Sequence, residues 1–138
     1  MKLRTILKSI ITLSLLSCSQ NNLLSEKVAK SIEADDQNTA IEFRNFLEYS
    51  SAQKSIRPDI KTYDIERFLN EWTSRLCSAQ YPKGIIDSDS KELVSGLMNL
   101  MVIGYVEYGD GKITDSHELS ERVIEESLLL TCPEKLKK

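Results

Sequence analysis

Three cysteines, Cys18, Cys77 and Cys132, constrain this 138-residue chain more than any other feature. An odd count does not close into intramolecular disulfides, so at least one thiol must have another use. With a single histidine, the count also excludes most structural zinc sites, which draw four ligands from Cys and His. Length fits one ordinary domain. Eighteen basic residues against 21 acidic ones give net charge −3 with no basic block, so nucleic acid is not an expected partner. At 41% hydrophobic residues, the chain is too apolar to remain disordered.

The first segment resolves the odd number. Lys2, Arg4 and Lys8 precede an apolar run from Ile10 to Leu16, the charged and hydrophobic regions of an export signal. The run is far shorter than the roughly 20 residues of a membrane span. Leu15-Leu16-Ser17-Cys18 resembles a bacterial lipobox, in which cleavage precedes a cysteine that then carries lipid. Ser17 is small enough for a narrow cleavage pocket, and only the Cys18 thiol is a good nucleophile for thioether attachment. The alternative is ordinary cleavage after Ser19, giving a soluble periplasmic or secreted protein. Residues 1–17 are therefore expected to be a lipoprotein signal. Cys18 is expected to anchor the chain at a membrane, the outer membrane of a Gram-negative envelope because Ser19 rather than Asp follows it.

Removal of residues 1–17 takes Lys2, Arg4 and Lys8 from the 18 basic residues, leaving 15 against 21 acids, net −6. Cys77 and Cys132 then remain in an oxidising compartment. One disulfide between them is the simplest expectation, worth roughly 4 kcal/mol through restriction of the unfolded chain. Two free buried thiols are the alternative.

Apolar spacing predicts helices throughout. A short one is expected over 25–34, with Val28 and Ile32 on one face. A second is expected near 38–52, carrying Ala40, Phe43, Phe46 and Leu47. Ser50 to Pro58 reads as a connection, so 18–61 is expected to be a tether and helical extension ahead of a domain at 62–138. In that domain Ile65, Phe68, Leu69, Trp72 and Leu76 share one face of a helix capped by Thr62. Asp89-Ser90-Lys91-Glu92 has capping-box spacing before a helix that is apolar on nearly every side from Leu97 to Val106. That pattern predicts a central buried helix, with Gly96 and Gly104 permitting close packing. Thr114 or Asp115 starts a last helix ended by Cys132-Pro133. The fold class is all-α: four to five helices and one disulfide.

Chemistry-bearing patterns are sparse. Asp110-Gly111 imitates half of a calcium loop, but alignment puts Val106 and His117 where oxygen ligands are required. His117 reads as a surface histidine. Glu121, Glu125 and Glu126 with Arg122 read as a solvated helix face. No nucleophile–base pairing or phosphate loop is present. No enzyme activity, metal or cofactor is expected.

From Trp72 to Leu136 the chain resembles the small periplasmic acid-stress proteins of the HdeA/HdeB type. The resemblance rests on Cys77, the apolar helix with Leu100-Met101-Val102-Ile103-Gly104-Tyr105, and Cys132-Pro133. It implies a compact helical domain with those cysteines joined, a homodimer, and a chaperone that exposes apolar surface in acid. From pH 7 to 2 the mature chain moves from −6 to about +16 by reference pKa values. Leu97, Leu100, Met101, Ile103 and Tyr105 are then the implied client-binding residues for unfolded proteins. Residues 19–61 lie outside the resemblance. Gly104-Tyr105 and Cys132-Pro133 are also similar to features of some immunity proteins against secreted toxins, which would bind one protein partner at neutral pH. A structural envelope lipoprotein is a further alternative.

Overall fold

The computed structural model describes residues 23–60 and 64–136. The expected signal, Cys18, the residues that follow it to 22 and the Thr62 cap lie outside these. The described residues form five helices: α1 Leu24–Glu33, α2 Gln37–Ile56, α3 Ile65–Ser78, α4 Ser88–Tyr108 and α5 Ser116–Thr131. A 3-10 turn, Pro133–Lys135, closes the chain, and there is no strand among the described residues.

Four helices begin in the same way. Asp36, Asp64, Asp87 and Asp115 each accept a hydrogen bond from the backbone N–H three residues on, at 3.1, 3.0, 2.7 and 3.0 Å. Each such cap contributes about 1 kcal/mol by satisfying an amide that the helix leaves open. α3 is thus capped by Asp64 rather than Thr62. α4 starts from Asp87 rather than Asp89, because Asp87 holds the extended backbone a cap requires. α2 continues past 52 to Ile56 and stops only where Arg57, restricted by Pro58, leaves the helical region.

One core joins all five helices. Val28 and Ile32 of α1, and Phe43 and Phe46 of α2, pack in the same cluster as Leu69, Met98, Val123 and Leu128. The 61/62 boundary therefore falls between helices that share a core. The central element is α5, which contacts α1, α3 and α4. Its Ser120 and Ser127 are buried, with hydroxyls donating to Ser116 O and Val123 O at 2.8 and 2.7 Å. Small, satisfied side chains let neighbouring helices come close.

Cys77 and Cys132 are bonded, with 5.9 Å between their Cα atoms, tying the end of α3 to the end of α5. The closing turn strengthens that corner. Lys135 donates from Nζ to Cys77 O, and its carbonyl accepts from Ile86 N at 2.8 Å.

The α1–α2 pair is tied down by charge. Both carboxylate oxygens of Glu66 accept backbone N–H groups at the start of α1, Leu24 at 2.6 Å and Ser25 at 2.8 Å. Arg44 bridges Glu26 and Glu33 across α1 and α2. Arg122 reaches Asp35 at 2.5 Å and Glu126 at 3.0 Å. Glu126 is therefore a lock rather than part of a solvated face; it also accepts from Ser31 Oγ at 2.6 Å.

Candidate functional site

α4 has more apolar surface than the core can cover. Val94, Met98, Val102 and Tyr105 point inward. On an adjoining side, Leu93, Leu97, Leu100, Met101, Gly104 and Tyr108 recur at helical spacing as a stripe that is not fully buried, with Met101 packed against the edge of the core. Leu93, Leu100 and Tyr108 are 61, 66 and 84% exposed. The expectation of a central buried helix is thus corrected: periodicity marks apolar faces and does not say which of them a neighbour covers. Gly96 and Gly104 are also not packing points, since, apart from the helix's own backbone, no atom of the described residues lies within 4 Å of where a Cβ would stand at either.

From Leu97 to Tyr108 the stripe forms one wall of a groove of about 670 Å³, and Leu93 lies beyond its lining. α3 supplies the other. Its Ile65, Leu69 and Leu76 enter the core, which leaves Phe68 and Trp72 half-buried on its flank with ring centroids 6.3 Å apart. Tyr49 of α2 and Tyr105 also line the groove, their rings 5.0 Å apart. The Tyr105 ring occupies the space a side chain at Gly111 would need, and the Tyr49 ring does the same at Gly109. Only glycine at those two positions lets the turn after α4 fold over both rings.

Charged groups line or flank this apolar surface. Asp64 pairs with Lys54 at 2.9 Å, and Glu71 with Arg75 at 2.7 Å. Arg75 also lies over the Trp72 ring, 4.8 Å from its centroid. Burial opposes ionisation of Asp64, but Lys54, the Arg67 amide and the Arg67 charge outweigh it and hold the carboxyl below its usual range. Arg67 lines the groove as well.

Of the residues implied for client binding, Leu97, Leu100, Met101 and Tyr105 line the groove. Tyr105 does so as a buried residue, and Ile103 is half-buried and outside the lining. Sequence reasoning missed Tyr49, Phe68, Trp72 and Tyr108 as site residues. A signal existed for α3: a face containing 65, 68, 69, 72 and 76 is wider than one helix contact needs, so part of it was left over.

A second cleft, of about 690 Å³, lies among α2, α4 and α5. Asp36, Glu42, Glu92, Asp115, Glu118, Glu121 and Glu125 line it, with Lys91 and Arg122. Several of these groups already serve the fold. Asp36 and Asp115 are caps, and Glu42 accepts from both N and Oγ1 of Thr114 at 3.0 and 2.6 Å. His117 is exposed, with Nε2 3.0 Å from Glu121. Among the described residues no group of three or more His, Cys, Asp or Glu is placed to hold a metal. Nor is any described helix long and apolar enough to cross a membrane.

No family model, curated protein or solved structure matches the chain.

Proposed function

We propose that the chain is an exported bacterial lipoprotein whose helical domain binds another protein through the α3–α4 groove. The observation that carries this reading is an aromatic-walled apolar groove open at the surface of the folded domain, with its disulfide and carboxylate locks in place. Exposed contiguous apolar surface costs solubility and marks interaction sites. Tyr and Trp in such a setting supply large contact area with few torsions to freeze. A groove already open favours a protein partner met at neutral pH, as an immunity protein or an envelope scaffold would meet one. Anchoring rests on Leu15-Leu16-Ser17-Cys18 and is tested by intact mass: a diacylglyceryl adduct on a chain beginning at Cys18 supports it, and an unmodified chain beginning elsewhere removes it.

A second reading, an acid-stress chaperone, is favoured by Glu66. Burial opposes its ionisation, but hydrogen bonds from Ser25, Asn70 and Leu24 outweigh that and hold its carboxyl below the usual range. Its protonation would release the start of α1 and uncover Val28 and Ile32, while the disulfide would keep α3 and α5 joined. The two readings separate in one comparison. Partner capture at neutral pH that is lost in Leu100→Glu supports the first. Protection of a model client from aggregation only at pH 2–3, lost on reduction, supports the second and removes the first.

A further inference from the structure

The stripe on α4 has a stricter pattern than a generally apolar face. Leu97, Leu100 and Gly104 line the groove at spacings of three and four, and exposed Leu93, four residues earlier, continues the same face beyond it, the rhythm by which one helix receives another. Gly104 gives the seam its depth, because the space beside its Cα is open to an approaching backbone. Against this apolar lining an extended segment would leave its amides unpaired, whereas a helix satisfies them internally. From Leu93 to Tyr108 the seam is roughly 22 Å long, about four helical turns.

Charge gives the groove a direction. Asp64 and Glu71 are compensated by Lys54 and Arg75. Arg67 is in no ion pair at contact distance among the described residues; its charge acts on Asp64, which Lys54 already pairs, so this part of the groove sets two cations against one carboxylate. Tyr49 packs on Tyr105, and Lys54, further along α2, reaches Asp64, so the end of α4 and the start of α3 lie at the same end of the groove. Arg67 marks that end.

We propose that the groove receives an amphipathic α-helix of a partner protein, its apolar face on the α4 seam and a carboxylate of its first turn beside Arg67. A carboxylate in a first turn also complements its own helix dipole. This inference rests on the groove being the binding surface proposed above.

Trp72 is the only tryptophan in the chain and lines the groove, so its emission reports occupancy. The chain from Ser19 to Lys138, which contains every described helix, is titrated at neutral pH with three synthetic peptides of about four helical turns. The first has a leucine seam and Glu in its first turn. The second has Lys there, and the third is the first with two central residues replaced by proline. The Glu peptide is expected to shift Trp72 emission to the blue and to bind about five-fold more tightly than the Lys peptide, the effect of one partly exposed ion pair. Arg67→Glu should reverse that order, and the proline peptide should give no shift. Equal binding of the Glu and Lys peptides overturns the role of Arg67. Equal binding of the proline peptide overturns the helix. Both results leave the groove itself standing, whereas no shift with any peptide removes it. A dimer of the chain alone in sedimentation, abolished by Leu100→Glu, makes the occupant a second copy and overturns the proposal.

Discussion

α4 has a cleft on each side, of nearly equal size and opposite chemistry. The polar one, shared with α2 and α5, is lined by seven carboxylates, several of which cap helices or hold neighbouring elements. The apolar one, shared with α3, is lined by leucines and aromatic rings, of which Leu100 and Tyr108 stand mostly in solvent. A carboxylate at the surface is solvated at no cost and can be recruited to the fold. An exposed leucine stripe contributes little to folding and invites association. Substitutions in the polar cleft should therefore cost stability, and substitutions in the groove should cost binding.

The largest effect expected is on the frame that holds both. Cys77→Ser with Cys132→Ser should lower stability by roughly 4 kcal/mol, because the bond closes a long loop of the unfolded chain. Urea unfolding with and without reductant checks this, and equal midpoints would mean that the closing turn alone secures α3 to α5. Next is the polar side. Arg122→Ala removes the partner of Asp35 and leaves Glu126, with only 14% of its side chain exposed, without its cation. A loss of about 2 kcal/mol is expected, with no change in how peptides shift Trp72 emission. A weakened peptide response in this variant would break the separation between the two clefts.

Acid should weaken the polar contacts first. Glu66, Asp36, Asp64 and Asp87 all have carboxyls held below their usual range. A carboxyl whose pKa is lower folded than unfolded adds stability that is complete above the unfolded value and is lost as pH falls through the folded one. The urea midpoint should therefore be flat near neutrality and fall below about pH 4.5, the ordinary value for Glu66. Glu66→Gln should be less stable at pH 7 and show a shallower acid slope; an unchanged slope would remove Glu66 as the acid-sensitive lock. The smallest effects belong to α4. Leu100→Glu should change stability by less than about 0.5 kcal/mol, since its side chain stands in solvent. Asn99→Leu should raise it by about 1 kcal/mol, because Asn99 Oδ1 is buried without a hydrogen-bond partner among the described residues.

The helices are legible because their causes are local, apolar spacing and a proline stop, although the caps of α3 and α4 are Asp64 and Asp87 rather than Thr62 and Asp89. The disulfide is legible from the cysteine count once Cys18 is given another use. What could not be read was coverage. α4 is apolar on several sides, and no pattern within it says that Val94, Met98 and Val102 meet the core while Leu93 and Leu100 meet water. The same holds for α3, where Leu69 and Phe68 are neighbours in sequence and part company in space. Glu125 and Glu126 differ for the same reason: Arg122 is one helical turn from Glu126, but only the fold brings Ser31 to that carboxylate and Asp35 to that arginine. The extension over 18–61 looked separate because a polar stretch follows it, although its Phe43 and Phe46 complete the core made by the later helices.

Binding of a helix in the groove is tested by Trp72 emission in the unsubstituted chain and in Leu100→Glu, each titrated with the Glu-headed helical peptide at neutral pH. A saturating blue shift is expected in the first and none in the second, with equal urea midpoints. A shift of the same size in Leu100→Glu, or none in the unsubstituted chain, would contradict it.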